Sequence, residues 1–305
     1  MNSRWYSVAV VACWLASMCW LVTAKVLPTL REGSRPTYDA MLPEAEAAKQ
    51  TTAWDIFLRD EHVGRAVSVS TRLPDGSGKL ESDVHFERLP LGQIAMELLG
   101  SFGTVLRQFW GADDDLKVDL DIVSEMSIGP TGKLDSFVTR VGFAGVEDWL
   151  QVRGTVLKGQ LEVSVYEVER DDAGAETLRL RFQDHFPLTD DSLVGGALSP
   201  QERLTGLHVG QTWTFPVYRP FPPNSPVQMV EATVERYEWF EWNGQTTRAY
   251  HVVYRDEAGS GLSIAQEPIA RLWVGGDGSV LRQEGRIADL TVSFVRLPDE
   301  AAAER

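Results

Sequence analysis

The sequence predicts a mainly β protein: a large, strongly curved antiparallel sheet (an open or half barrel) with one or two short helices at its mouth and a transmembrane helix ahead of it. Three observations point there. Residues 53–297 are a succession of runs that alternate apolar and polar residues, separated by Gly, Pro, Asn and Asp clusters, as short strands and tight turns require. Some of these runs are apolar on both faces, unlike an ordinary half-buried sheet, so the sheet must be covered twice or curve around something. Near the N-terminus, the twenty residues from Trp5 to Ala24 carry no charge.

That uncharged run lies between Arg4 and Lys25. As a helix it is about 30 Å long, enough to cross the hydrocarbon layer. Trp5, Tyr6 and Trp20 lie toward its ends, where amphipathic rings prefer to sit. Val22-Thr23-Ala24 also offers a small-residue cleavage site. Residues 1–25 therefore read as a membrane anchor or a signal peptide, and the length of the run favours the anchor. The expected place of the remaining chain is the cell envelope, with the domain outside the cytoplasm. Arg4 and the amino terminus argue for that orientation, against Lys25, Arg31 and Arg35. Both cysteines, Cys13 and Cys19, fall in this run. Disulfides, thiolate metal sites and cysteine nucleophiles are thereby excluded from residues 26–305. Residues 26–52, broken by Pro28, Pro36 and Pro43, read as a stalk in which PEAEAAKQ can form a short helix.

Strands are expected from Ala53. WDIFLRDE and VGRAVSVSTRL alternate, LPDGSG is a turn cluster, and KLESDVHFERL is the returning arm. In residues 89–111, Ile94, Leu98, Phe102, Val105 and Phe109 recur at helical spacing, interrupted by Gly100 and Gly103, which predicts a helix or helix pair. Strands resume with LKVDLDIVSEMSIG, a Pro130-Thr131-Gly132 turn, KLDSFVTRVGF, a pair within WLQVRGTVLKGQLEVSVYEVE, and TLRLRFQDHF. The pattern breaks at PLTDDSLVGGALSP. Ser199-Pro200-Gln201-Glu202 is a capping box with proline at the first helical position, so a short helix is expected there. GQTWTFPVY is a strand, RPFPPNSP a stiff loop, and the remainder hairpins. No polar or proline-rich linker divides the β region, so residues 53–297 read as one domain and 298–305 as a tail.

The stretch RYEWFEWNG shows how far local rules reach. Asn243-Gly244 is the strongest short hairpin signal, because a type I′ turn needs positive φ at both central positions. A two-residue loop sets Trp242 opposite Gln245, Phe240 opposite Thr247, Trp239 opposite Arg248, and Tyr237 opposite Tyr250. In RLWVGGDGSVLRQEG, Asp277-Gly278 read as another two-residue turn sets Trp273 opposite Arg282. Trp239 with Arg248, and Trp273 with Arg282, are therefore expected as cross-strand cation–π staples. One face of the first hairpin then carries Phe240 and Trp242, with Arg236 and His251 among them; the other carries Tyr237 and Trp239. Since Arg248 holds Trp239, the Phe240/Trp242 face is assigned to a ligand groove, with Arg236 and His251 beside it.

The segments LTGLHVGQTWTFPV, VEATVERYEWFEWNGQTTRAYHVVY and ARLWVGGDGSVLRQEGRI together resemble uncharacterised bacterial cell-envelope β-proteins and the β-rich modules that accompany transglutaminase-like domains. The wider architecture is similar to that of the periplasmic lipoprotein carriers. The resemblance is best over residues 204–296, looser over 53–170, and lies in turn and core motifs. It implies a curved sheet with helices at its mouth, an apolar or amphiphilic ligand, and an envelope partner protein. Any Cys–His–Asp activity would belong to another chain, since residues 26–305 have no cysteine.

Composition and motifs narrow the rest. The 305 residues are 43% hydrophobic and include 10 Trp, ample for one large core. A net charge of −15 repels phosphate backbones, which excludes nucleic acid as a partner. His62, His85, His185, His208 and His251 have no metal-ligand spacing, and SIGPTGKL lacks the first glycine and the Lys-Ser/Thr of a phosphate loop. Asp113-Asp114-Asp115 with Asp119 and Asp121 reads as a solvated acidic face rather than a calcium loop. No catalytic set, metal site or cofactor motif emerges. The expectation is a membrane-anchored, non-enzymatic protein that binds an apolar or amphiphilic ligand in a sheet groove. A scaffolding module is the alternative, and a hydrolase without a recognisable motif the third reading.

Overall fold

The structure, a computed structural model, describes residues 3–21, 37–44, 48–90, 117–143, 146–170, 175–189, 192–195, 199–219, 227–256, 267–287 and 290–299. Residues 91–111 of the expected helix, the triple aspartate, most of the RPFPPNSP loop and the end of the N-terminal run lie outside them, while Leu89 and Pro90 end a strand.

Fifteen strands among the described residues form a single sheet. They are β1 (Lys49–Leu58), β2 (Glu61–Arg72), β3 (Gly78–Pro90), β4 (Lys117–Ile128), β5 (Leu134–Phe143), β6 (Val146–Leu157), β7 (Gln160–Arg170), β8 (Glu176–Pro187), β9 (Leu193–Val194), β10 (Thr212–Tyr218), β11 (Gln228–Trp242), β12 (Gln245–Asp256), β13 (Ala270–Gly275), β14 (Val280–Ile287) and β15 (Leu290–Arg296). The sheet order is β8-β7-β6-β5-β4-β3-β2-β1-β15-β14-β13-β12-β11-β10-β9. Two meanders thus meet where β1 pairs β15, Trp54 opposite Arg296 and Ile56 opposite Phe294. Every pairing is antiparallel except β9 with β10. Strands β8 and β9, neighbours in sequence, are the two edges, and β9 itself lies within the broken stretch PLTDDSLVGGALSP.

The sheet is not closed by hydrogen bonds, yet its two ends meet through side chains. Phe186 of β8 and Phe137 of β5 pack on Tyr218 of β10, at 5.1 and 6.1 Å between ring centroids. The fully buried Trp54, Ile56, Phe86, Phe137, Tyr218 and Phe294 belong to one continuous core inside the curl. A one-turn helix, α2 (Tyr38–Met41), sits at the β2 end, its N-cap Thr37 accepting from the Ala40 N–H at 3.3 Å. The Tyr38 hydroxyl accepts from the Val194 N–H at 2.6 Å, linking α2 to the β9 edge.

Two expectations change. Residues 37–44 and 48–52 do not stand off as a stalk: Tyr38 and Leu42 are in the core, Arg72 holds the Pro43 carbonyl at 2.6 Å and the Asp39 carboxylate at 2.9 Å, and β1 starts at Lys49. The Ser199–Glu202 capping box does not start a helix. Its backbone pairs instead with the β13–β14 turn, Val280 N–H to Glu202 O at 3.0 Å and Leu204 N–H to Gly278 O at 2.8 Å. Glu202, which a helix would need at its first turn, is buried against Ser70 of β2. No helix among the described residues is long and apolar enough to cross a membrane, and the end of the expected span, residues 22–24, lies outside them. The N-terminal helix α1 (Ser3–Leu21) has 19 residues and includes Arg4.

Candidate functional site

The β11–β12 hairpin takes the register its turn dictates. Asn243 and Gly244 have φ of 49° and 73°, and Tyr237, Trp239, Phe240 and Trp242 face Tyr250, Arg248, Thr247 and Gln245. Arg248 lies 4.6 Å over the Tyr237 ring and 5.2 Å over Trp239, while the two tyrosine rings are 4.5 Å apart. Trp273 likewise faces Arg282, whose guanidinium is 5.5 Å from its ring, but by a different route. The loop has three residues, since Gly275 and Ser279 close it and Gly278 takes the positive φ of 85°. Val274 then faces Val280, and a bulge that leaves Leu281 unpaired restores the Trp273–Arg282 pairing.

The groove assignment is reversed. A bulge leaves Glu235 unpaired between Val234, opposite Val252, and Arg236, opposite His251. Beyond it, Phe240 stacks on Trp273 at 5.5 Å, and His251 lies 5.1 Å from the same indole. Glu238 accepts from Trp273 Nε1 at 3.3 Å and from Arg236 Nε at 2.6 Å. Trp242 donates its indole N–H to the Arg296 carbonyl at 2.7 Å. Phe240, Arg236 and His251 are thus brought together around Trp273, and Trp242 leans on the end of β15, so the expected groove face packs on the protein itself. The exposed ring is Trp239, at 69%. Burial, and next the Arg236 charge, depress the His251 pKa, with Glu235 pulling the other way.

A second constellation lies inside the curl. Thr52, Ser68, Ser82, Ser124 and Thr139 are successive partners across β1 to β5, so five hydroxyl side chains form one row on the inner face. Ser124 and Thr139 bond each other at 3.0 Å. The hydroxyls of Thr52, Ser68 and Ser82 are buried without a protein partner. One step along β1, Trp54 is fully buried opposite Arg296, and neither Trp54 Nε1 nor Arg296 Nη1 has a partner. Arg296 Nη2 donates to Asp299 at 3.0 Å. One step along β2, Ser70 donates to Glu202 at 3.1 Å. Burial pushes the Glu202 carboxyl up to about 7, against the lowering effects of the Ser70 bond and of Arg296 and Arg203. A buried polar group left without a partner costs about 1–3 kcal/mol, so five in adjoining positions mark the place where a polar ligand gains most.

The sequence reading missed this row. In AVSVSTR the alternation was legible, but residue type suggests valine inward and serine outward. The structure does the opposite: Ser68 and Ser70 are 2% and 0% exposed while Val67 and Val69 are half-buried. Of the acidic candidates, Asp119 accepts from the Arg88 N–H at 2.9 Å and Asp121 pairs with His85 at 2.5 Å. No cluster of metal-ligating side chains occurs among the described residues. The SIGPTGKL stretch is the β4–β5 turn, closed by Gly129 N–H to Lys133 O at 2.8 Å.

No family model matches the chain, and no curated protein matches it. Among solved structures, the chain is similar to the crystal structure of a β-barrel-like protein of a domain of unknown function, DUF1849, from Brucella abortus. The TM-score is 0.48 and the identity 10%, over 83% of this chain and 97% of that chain.

Proposed function

We propose that this is a non-enzymatic, extracytoplasmic β-protein that binds an amphiphilic molecule on the inner face of its curled sheet. The observation that supports this most is the set of buried polar groups on that face without protein partners: Thr52, Trp54, Ser68, Ser82 and Arg296. They adjoin a continuous apolar cluster, which suits a molecule with one polar end and one apolar end. The full chain, purified and extracted for mass spectrometry, is expected to carry a co-purified lipid and to bind an apolar fluorescent probe saturably. A protein that carries none and binds no probe would overturn the reading.

Location rests on the uncharged run Trp5–Ala24, read as an anchor or an export signal. Carbonate-resistant membrane fractionation supports the anchor, and a soluble mature chain starting at Lys25 supports the signal. An intact N-terminus in the soluble cytoplasmic fraction would sink both.

The exposed arm supports a second reading, a scaffold for an envelope partner such as a transglutaminase-like enzyme. Trp239 and its Arg248 staple stand at a hairpin tip, where they can be recognised without disturbing the core. Trp239→Ala separates the two readings. It leaves probe uptake unchanged if the inner face is the site, and abolishes cross-linking of position-243 probes to the partner if the arm is.

A further inference from the structure

The chemistry of the inner row says what kind of headgroup it takes, given that the inner face is the binding site. Trp54 Nε1 and Arg296 Nη1 are donors only, and the hydroxyls of Thr52, Ser68 and Ser82 donate or accept. An acceptor-rich group therefore satisfies all five, whereas an ammonium satisfies neither the indole nor the guanidinium. Arg296, opposite Trp54 one step along β1, supplies the positive charge beside this row, with Nη2 already committed to Asp299 and Nη1 left over. A guanidinium already paired with Asp299, and whose charge also reaches Glu202, tolerates one added negative charge better than two, which favours a carboxylate over a phosphate monoester. The neighbouring row on the same face, which Arg296 begins on β15, is apolar from β1 to β6. Trp54, Ala66, Val84, Ile122, Val141 and Leu150 are successive partners across β1 to β6, all buried. A polar row bordered by an apolar one matches a molecule with a small anionic end on an aliphatic chain.

We propose that Thr52, Ser68 and Ser82, with Trp54 and Arg296, form a headgroup site for a carboxylate, and that the ligand class is the single-chain fatty acid. Displacement of an apolar fluorescent probe from the delipidated full chain tests this, with oleate, oleyl alcohol, oleylamine and an oleoyl phosphate monoester as competitors. Oleate is expected to displace the probe about tenfold more tightly than the alcohol or the amine, as a charge-assisted bond to a buried guanidinium allows. Arg296→Met should bring oleate down to the level of the alcohol without moving the alcohol itself. The shape-conserving pair Thr52→Val with Ser68→Ala keeps the test open if Arg296→Met fails to fold. That pair should weaken oleate severalfold while leaving the melting temperature level or higher. Equal displacement by oleate and alcohol, or by oleate and the phosphate monoester, would overturn the carboxylate site while leaving an amphiphile-binding protein in place. So would an oleate preference that survives both variants, which would mean water serves the row. Absence of probe binding altogether would instead overturn the amphiphile reading on which the site rests.

Discussion

Glu202 has a carboxyl that ionises near 4.5 when unfolded and near about 7 in the folded chain, because burial disfavours its charged form more than Ser70, Arg296 and Arg203 restore it. Between those pH values the folded state holds the proton more tightly. The stabilisation is therefore complete below the unfolded pKa and is lost as pH rises through the folded one, by at most ~3 kcal/mol. Glu202→Gln should abolish this dependence, so the variant gains on the parent between pH 5 and pH 8. Urea midpoints at the two pH values check this, and parallel midpoints would show a solvated carboxyl. The tryptophans should separate just as clearly. Trp239 is stapled by Arg248 but 69% exposed, so Trp239→Ala is expected to cost under about 1 kcal/mol. Trp54, fully buried opposite Arg296, should cost about 3–5 kcal/mol as alanine.

At the scale of elements, two hairpin turns show what a glycine does. Gly244 has a φ of 73° in open space, whereas Gly278 has a φ of 85° and its missing Cβ would lie 2.8 Å from Thr205 and 3.1 Å from the Leu204 carbonyl. Gly244→Ala should cost about 1 kcal/mol, the left-handed penalty alone. Gly278→Ala should cost more, because it also pushes the Ser199–Leu204 strap off the β13–β14 turn. Thermal unfolding of the two variants ranks them, and an equal shift would mean the strap is loosely held. The strap itself explains why a sound helix-start signal fails here. A capping box satisfies two N–H groups, whereas the β13–β14 turn bonds the Glu202 carbonyl and the Leu204 N–H while the Glu202 side chain accepts from Ser70.

The whole molecule is a ladder of neighbouring strands whose two edges are joined by side chains instead of hydrogen bonds. Tyr218 is the keystone, touching Phe186 from one meander's edge and Phe137 from further inside it. Tyr218→Ala should cost about 3–5 kcal/mol. It should also speed amide exchange in β8, β9 and β10 before β1, β2 and β15, which remain paired on both sides. Uniform acceleration across all strands would show that the seam and the ladder unfold as one unit. Tyr38 bridges from α2 to β9, so Tyr38→Phe should add a smaller loss, about 1 kcal/mol, at the same seam.

Most strand runs, the turn positions and the register of the β11–β12 hairpin follow from the amino-acid sequence by itself. Each needs only a residue that tolerates positive φ, such as Asn243, Gly244 or Gly278, and an alternation a few residues long. Even so, Trp273 meets Arg282 through a three-residue loop and the Leu281 bulge, two local irregularities whose effects on register cancel. Tertiary structure alone decides which side of a strand is inside. Ser68 turns in and Val67 out because Trp54 and Phe86 claim the core on the flanking strands, and a period of two looks the same either way up. The Glu235 bulge then exchanges the faces of the aromatic arm, leaving Trp239 in solvent and Phe240 on Trp273. The inner row joins residues from Thr52 to Arg296, and the Glu202–Ser70 bond spans 132 positions. No local pattern encodes such contacts, because they exist only once both meanders have curled around the same core.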